Sequence, residues 1–196
     1  MTERRAGDWA ADDLPLIGEP FAVELANSDY RTSGMDFLAD DLINVWFAHV
    51  SGPNYISRNL SIPPGAAASV RAVRDATRLL LGRIADDLPL GQASAAMDVL
   101  NAAARQAPAR AVLEFDDAAR PVWALHHNGQ AADVLVAQVA SRCILFVGNE
   151  EATCVRRCAR PQCPMFFVQH HRARRYCHES CAHRVRQSRY YQRTRA

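Results

Sequence analysis

Apolar positions recur at three- and four-residue spacing through most of this chain, and that period predicts helices. In Met35–Val50, Leu38, Leu42, Val45, Trp46 and His49 share a face, with acids in the first turns where the helix dipole favours them. Ser69–Leu88 carries the strongest helical pattern, with Val70, Val73, Thr77, Leu80 and Ile84 on one stripe. Ala93–Gln106 predicts an alanine-rich helix, and Ala131–Phe146 a buried one whose Cys143 reads as a small core residue. The period falls to two in Phe21–Asn27, which predicts a strand, although the same residues could open a helix. Arg110–Phe115 and Pro121–His127, separated by the turn-like Asp116–Arg120, predict a β-hairpin. His126 and His127 then point to opposite faces and are poorly placed to share a metal. Residues 1–18 show no period and predict a flexible leader, and the prolines and glycines of Ser51–Gly65 predict a loop.

With 196 residues, 49% of them hydrophobic, the chain can bury a core for one domain and a small appendage. No stretch approaches the roughly 18 to 20 apolar residues that span a bilayer, and acids stand where a signal peptide needs its apolar centre. The expected location is therefore cytoplasmic, where six cysteines point to metal rather than to disulfides. Charge divides the chain in two. Residues 1–153 carry 12 arginines against 20 acids, a balance of −8, while residues 154–196 carry 11 arginines against Glu179 alone, a balance of +10. An acidic body with a basic, anion-seeking tail is implied.

On the 69–88 helix, Arg71, Arg74 and Arg78 cluster away from the apolar stripe. A solvated face paired with Asp75 and its neighbours explains them most simply; an anion pocket is the alternative, with Asn27, Arg74 and Asn101 as its candidate ligand-binding groups. Phosphate-cradling glycine loops, nucleophile elbows and metalloprotease histidine pairs are absent from the sequence, so no enzyme is expected.

The tail carries the clearest chemistry. Cys158 and Cys163 form C-x4-C, thirteen residues follow, and Cys177 and Cys181 form C-x3-C. A tetrahedral zinc needs two tight chelating loops joined by a connector that turns back, and thirteen residues allow a short hairpin. If a helix starts at Cys177, both later sulfurs leave its first turn on one face. One structural Zn²⁺ on Cys158, Cys163, Cys177 and Cys181 is expected, ahead of iron or a redox role. Cys154, His178 and His183 lie near enough to compete, but four thiolates already complete a structural shell. On the C-terminal helix Arg186, Arg189 and Arg193 fall within about 60° of one another, away from the metal, with Tyr190 beside them. Together with Arg172, Arg174, Arg175 and Arg184 they form the candidate nucleic-acid surface. The rivals are RNA binding and a zinc-stapled module that sets a basic helix on an acidic protein partner.

These residues resemble a known family. Cys158, Cys163, Phe166, Arg175, Tyr176, Cys177, Cys181 and Arg184 match the CGNR-type zinc finger, with Ala182-His183 in place of the Gly-Asn pair. Upstream, FAVELANS, MDFLADDLINVW and VRDATRLL resemble successive motifs of the ABATE domain, with Asp75 replacing the usual Glu. The resemblance implies a bacterial transcription regulator, stress-linked, that binds DNA and carries an N-terminal sensing or dimerisation domain; a homodimer and a small-molecule effector are its further expected partners. The expected architecture is α+β: a leader over 1–18, a mostly helical ABATE-like domain over 19–150 with a small antiparallel sheet, and a treble-clef-like CGNR-like finger over 154–196. That sheet would join the 21–27 strand to the 110–127 hairpin.

Overall fold

The helix with the strongest sequence pattern is the central strut of the molecule. It is α3, Ala66–Ala85, and in the computed structural model, which describes residues 14, 16–30, 34–50 and 62–194, it packs against helices on both sides and against the finger. Gly65 opens it at φ 86°, a left-handed conformation that a residue with a Cβ adopts only with strain. Val70, Val73, Thr77 and Leu80 are buried as the stripe predicts. Around α3 lie α1 (Phe21–Asn27), α2 (Ile43–Val50), α4 (Ser94–Arg105) and α5 (Ala131–Val147). Trp46, Phe47, Leu25, Leu80, Leu81 and Leu135 fill the core between them.

The remaining elements are three separate antiparallel ladders: β1 (Asp29–Tyr30) with β2 (Met35–Asp36), β3 (Ala109–Phe115) with β4 (Pro121–His127), and β5 (Val155–Arg157) with β6 (Phe166–Val168). The architecture is thus α+β and mainly helical. Residues 21–27 are a helix, not a strand, and so the sheet expected between them and the 110–127 hairpin does not form. The N–H groups of Val23 and Glu24 donate to the carbonyl of Pro20, whose fixed φ starts the turn. Every residue of α1 is buried, so apolar period carries no information there; its polar positions, Glu24 and Asn27, are three apart as a helix requires.

The helix expected over 35–50 begins only at Ile43. Asp36 explains the delay: paired with Asp29 at the end of the ladder, it accepts the N–H of Leu38 on its carboxylate at 2.9 Å and so holds a turn there. Leu38 and Leu42 are buried nonetheless, from the turn rather than from the helix. Of the proposed leader, residues 1–13 and 15 lie outside the described set, as do 51–61 of the proposed loop. Leu14 is buried and Leu16 packs on the main core, so the end of that segment belongs to the body.

The arginine row of α3 is not a solvated face. Arg71 donates to the Leu38 carbonyl and pairs with Asp40; Arg74, 5% exposed, pairs with Asp36 and Asp75. Arg78 donates to the carbonyls of Ala26 at 2.5 Å and Pro164 at 3.0 Å. Each arginine is held by backbone or carboxylate oxygens of the body or the finger rather than left to solvent.

Candidate metal centre and basic helix

The β5–β6 hairpin carries the first pair of cysteines at its turn. Cys158 follows β5 and its N–H donates to the Met165 carbonyl; Cys163 N–H donates to the Arg160 carbonyl, and Gln162 at φ 63° closes the knuckle. The hairpin strands therefore flank this pair instead of lying wholly in the spacer, because Val155, Phe166 and Val168 join the main core and draw both strands onto α3. Cys177 stands two residues ahead of α6 (Glu179–Thr194), not inside it, and Cys181 sits in the first turn. His178 supplies the start: its Nδ1 accepts the Ser180 N–H at 3.2 Å and its carbonyl accepts the Cys181 N–H at 3.0 Å.

The four sulfurs lie within 4.8 Å of one another. Cys163–Cys177 is 3.8 Å, Cys177–Cys181 3.6 Å and Cys181–Cys163 3.9 Å. A tetrahedron with Zn–S bonds of about 2.3 Å has sulfur–sulfur edges of about 3.8 Å; the three edges among Cys163, Cys177 and Cys181 match it, and Cys158 lies close enough to complete the set for one zinc ion. Hydrogen bonds from Cys163 and Cys177 hold the Cys158 thiol down to about 2, whereas burial and the charge at Cys163 push Cys181 up to about 11. A cluster that keeps protons on some sulfurs gives them up to a dication, so metal uptake releases protons. Burial opposes the charge of Arg160, but the sulfurs of Cys181 and Cys163 outweigh it and raise its pKa. Met165, Phe167, Ile17 and Tyr176 close a small apolar shell around the site.

Cys154 is outside the cluster: its carbonyl accepts the Gln169 N–H and its side chain packs against the main core. Cys143 is fully buried in α5, its thiol pushed up to about 12 by burial. His183 is exposed on α6. His126 pairs with Glu114 while His127 meets the Ala107 carbonyl, on opposite faces of the hairpin.

The basic residues separate into two groups. Arg172, Arg175, Arg184, Arg186, Arg189 and Arg193 are exposed, and Tyr190 and Tyr191 are 62% and 61% exposed with their rings in edge contact. Cys181 is the buried residue of α6, and from Arg186 to Thr194 every position is exposed. Taking 100° per residue, Cys181 points about 110° from the middle of the Arg186–Arg189–Arg193 stripe, so the stripe is turned off the metal side but not diametrically opposed to it. Arg174 belongs elsewhere. It pairs with buried Glu19 at 2.6 Å, donates to the carbonyls of Val168, Tyr176 and Cys177, and lies 4.7 Å from the Phe167 ring centroid. It is a structural clamp, and its place in the expected nucleic-acid surface is corrected.

The Asn27–Arg74–Asn101 pocket does not exist. Asn27 is fully buried against the finger, its amide donating to the Phe166 carbonyl at 3.0 Å and its oxygen accepting the Phe166 N–H at 2.8 Å. Arg74 is spent on Asp36 and Asp75, and Asn101 is exposed on α4. A cleft of about 570 Å³ where α3 meets the finger, between Arg78, Asp86, Arg157 and Phe166, is lined by none of them.

Several residues of this junction escape a reading by spacing. Glu19 accepts the Val168 N–H at 2.8 Å, and Arg157 grips Asp86 with two bonds of 2.8 and 2.9 Å while packing on the Phe166 ring beside Arg78. Glu24, 2% exposed, accepts the N–H groups of Ile17 and Glu19 on one oxygen, while its other oxygen has no partner. The available signal was two glutamates, Glu19 and Glu24, beside or inside an apolar run around Pro20.

Residues 19–150 match the family model ABATE, described as "Putative stress-induced transcription regulator", and residues 155–194 match the CGNR zinc finger. No curated protein matches the chain. Among the described residues no helix is long and apolar enough to cross a membrane. With its helical body matched over most of its length and its four clustered cysteines inside the second match, the chain belongs to the ABATE family and ends in a CGNR zinc finger built for one structural zinc.

Proposed function

We propose that this protein is a DNA-binding transcription regulator whose zinc-folded finger sets α6 against the phosphate backbone. The supporting observation is the outer half of α6: Arg186, Arg189 and Arg193 lie on one side, Tyr190 lies beside them, and no residue from 186 to 194 is buried. A helical segment exposed at every position among the described residues has its surface free for a partner. Arginines on it exchange condensed counterions for phosphates, and Tyr190 supplies flat apolar area next to the sugars. Zinc itself contacts no nucleic acid in this scheme; it fixes Cys181 and thereby the direction of α6.

Regulation runs through the junction. Asn27, Glu19, Arg78 and Arg157 bond the finger to α1 and α3, so a shift of either helix re-aims α6. The direct test is duplex-DNA binding by the zinc-loaded chain across a salt series. We expect affinity that falls steeply with salt, and Arg186→Ala/Arg189→Ala/Arg193→Ala should flatten the log–log slope by about 2 to 3, near 0.9 per lost phosphate contact. Absence of binding at low salt sinks the reading. Preference for RNA over duplex in competition moves the function to RNA, and capture of acidic protein with no nucleic-acid binding moves it to a protein-interaction module.

A further inference from the structure

The β3–β4 hairpin stands apart from the core. Among the described residues no further strand joins its two, and an isolated two-stranded hairpin is marginal in water. Its register pairs Ala109 with His127, Ala111 with Leu125, Leu113 with Trp123 and Phe115 with Pro121, so these eight positions share one face. That face holds no carboxylate, arginine or lysine. The opposite face takes the charge: Arg110 and the Glu114–His126 pair, with Val112 and Ala124 half-buried between them. Leu113 and Phe115 are nevertheless 75% and 76% exposed, and Ala109, Ala111 and Pro121 are exposed beside them. An amphipathic hairpin that turns its apolar face to solvent is an interaction surface.

We infer that the occupant is a second copy of this chain, packed hairpin on hairpin about a two-fold axis. Three features select it. Residues 1–153 carry a balance of −8, so two bodies repel, yet this face brings no like charges together. Along β3 the face grades from small, Ala109 and Ala111 at the base, to large, Leu113 and Phe115 toward the tip. An antiparallel two-fold sets the large end of one copy on the small end of the other. Finally, seven residues per strand span about 24 Å, and two such faces bury on the order of 1,000 Å² together. That area suits a dimer that dissociates at micromolar concentration.

The inference stands independently of DNA binding. The full zinc-loaded chain is weighed by sedimentation equilibrium from about 1 to 100 µM, and it should pass from monomer to dimer. Leu113→Glu/Phe115→Glu should weaken association at least tenfold with zinc content and melting unchanged, since both side chains are exposed in one copy. Val122→Ser, on the opposite face, should leave the mass profile as it was. Hydrogen exchange on the wild type gives a readout that needs no variant: amides of residues 109–127 should gain protection as concentration rises. A chain that stays monomeric at 100 µM overturns the inference, as does a dimer that survives the double substitution or protects another segment.

Discussion

Asn27 is where the finger can be detached from the body by a small change. Its side chain is fully buried and occupies both hydrogen-bonding groups of Phe166, at 2.8 and 3.0 Å, in the manner of a one-residue strand partner. In Asn27→Ala the Phe166 N–H and carbonyl lose their partner in a place that water does not reach. An unsatisfied buried backbone group costs about 1 to 3 kcal/mol, so the pair is worth about 2 to 5 kcal/mol. For a chain of this size each kcal/mol moves the melting temperature by about 2 to 4 °C, and a drop of about 4 to 20 °C is expected. Thermal and urea unfolding of the zinc-loaded protein measure it. Because Phe166 is also in the main core, the transition should stay single and cooperative. A loss below about 1 kcal/mol, or a separate early transition for the finger, would refute the claim that this amide welds the two parts.

Arg174→Ala removes the guanidinium paired with buried Glu19 and should cost about 2 to 3 kcal/mol, whereas Arg172→Ala, at an exposed position, should cost nothing measurable; urea titrations of the two separate a clamp from a contact residue. Burial raises the Glu24 carboxyl from 4.5 to about 7. Its contribution to stability is complete below pH 4.5 and is lost as pH rises to about 7, so Glu24→Gln should gain on the wild type by about 3 kcal/mol between pH 5 and 8. A difference that is flat with pH contradicts that assignment. Chelation of zinc should unfold α6 and also lower the melting temperature of the body, since β5 and β6 belong to both; circular dichroism with a one-to-one zinc titration checks it, and an unchanged melting temperature refutes it.

How far the fold was legible follows from how local each feature is. The α3 stripe, the 109–127 hairpin and α5 declared themselves through period alone, since each has a buried face and an outer one or a clear turn. The ligand set of Cys158, Cys163, Cys177 and Cys181 was legible because chelate loops are short. Misreadings occurred where period is silent or capping intervenes: α1 has no exposed face, and Asp36 holds a turn where acids had suggested a helix start.

The sequence by itself determined the zinc site, the charge division and the amphipathic segments, all of which depend on neighbours within a few turns of chain. Only the tertiary structure decided that finger and body share a core, and which arginines are held. Asn27 and Phe166 are 139 residues apart, Glu19 and Val168 149, and Arg78 and Pro164 86. An arginine in sequence is a charge with no partner, so Arg174 and Arg186 look alike. Packing separates them: Arg174 lies over an aromatic ring beside a buried carboxylate that must be neutralised, and Arg186 is exposed on the outer half of α6.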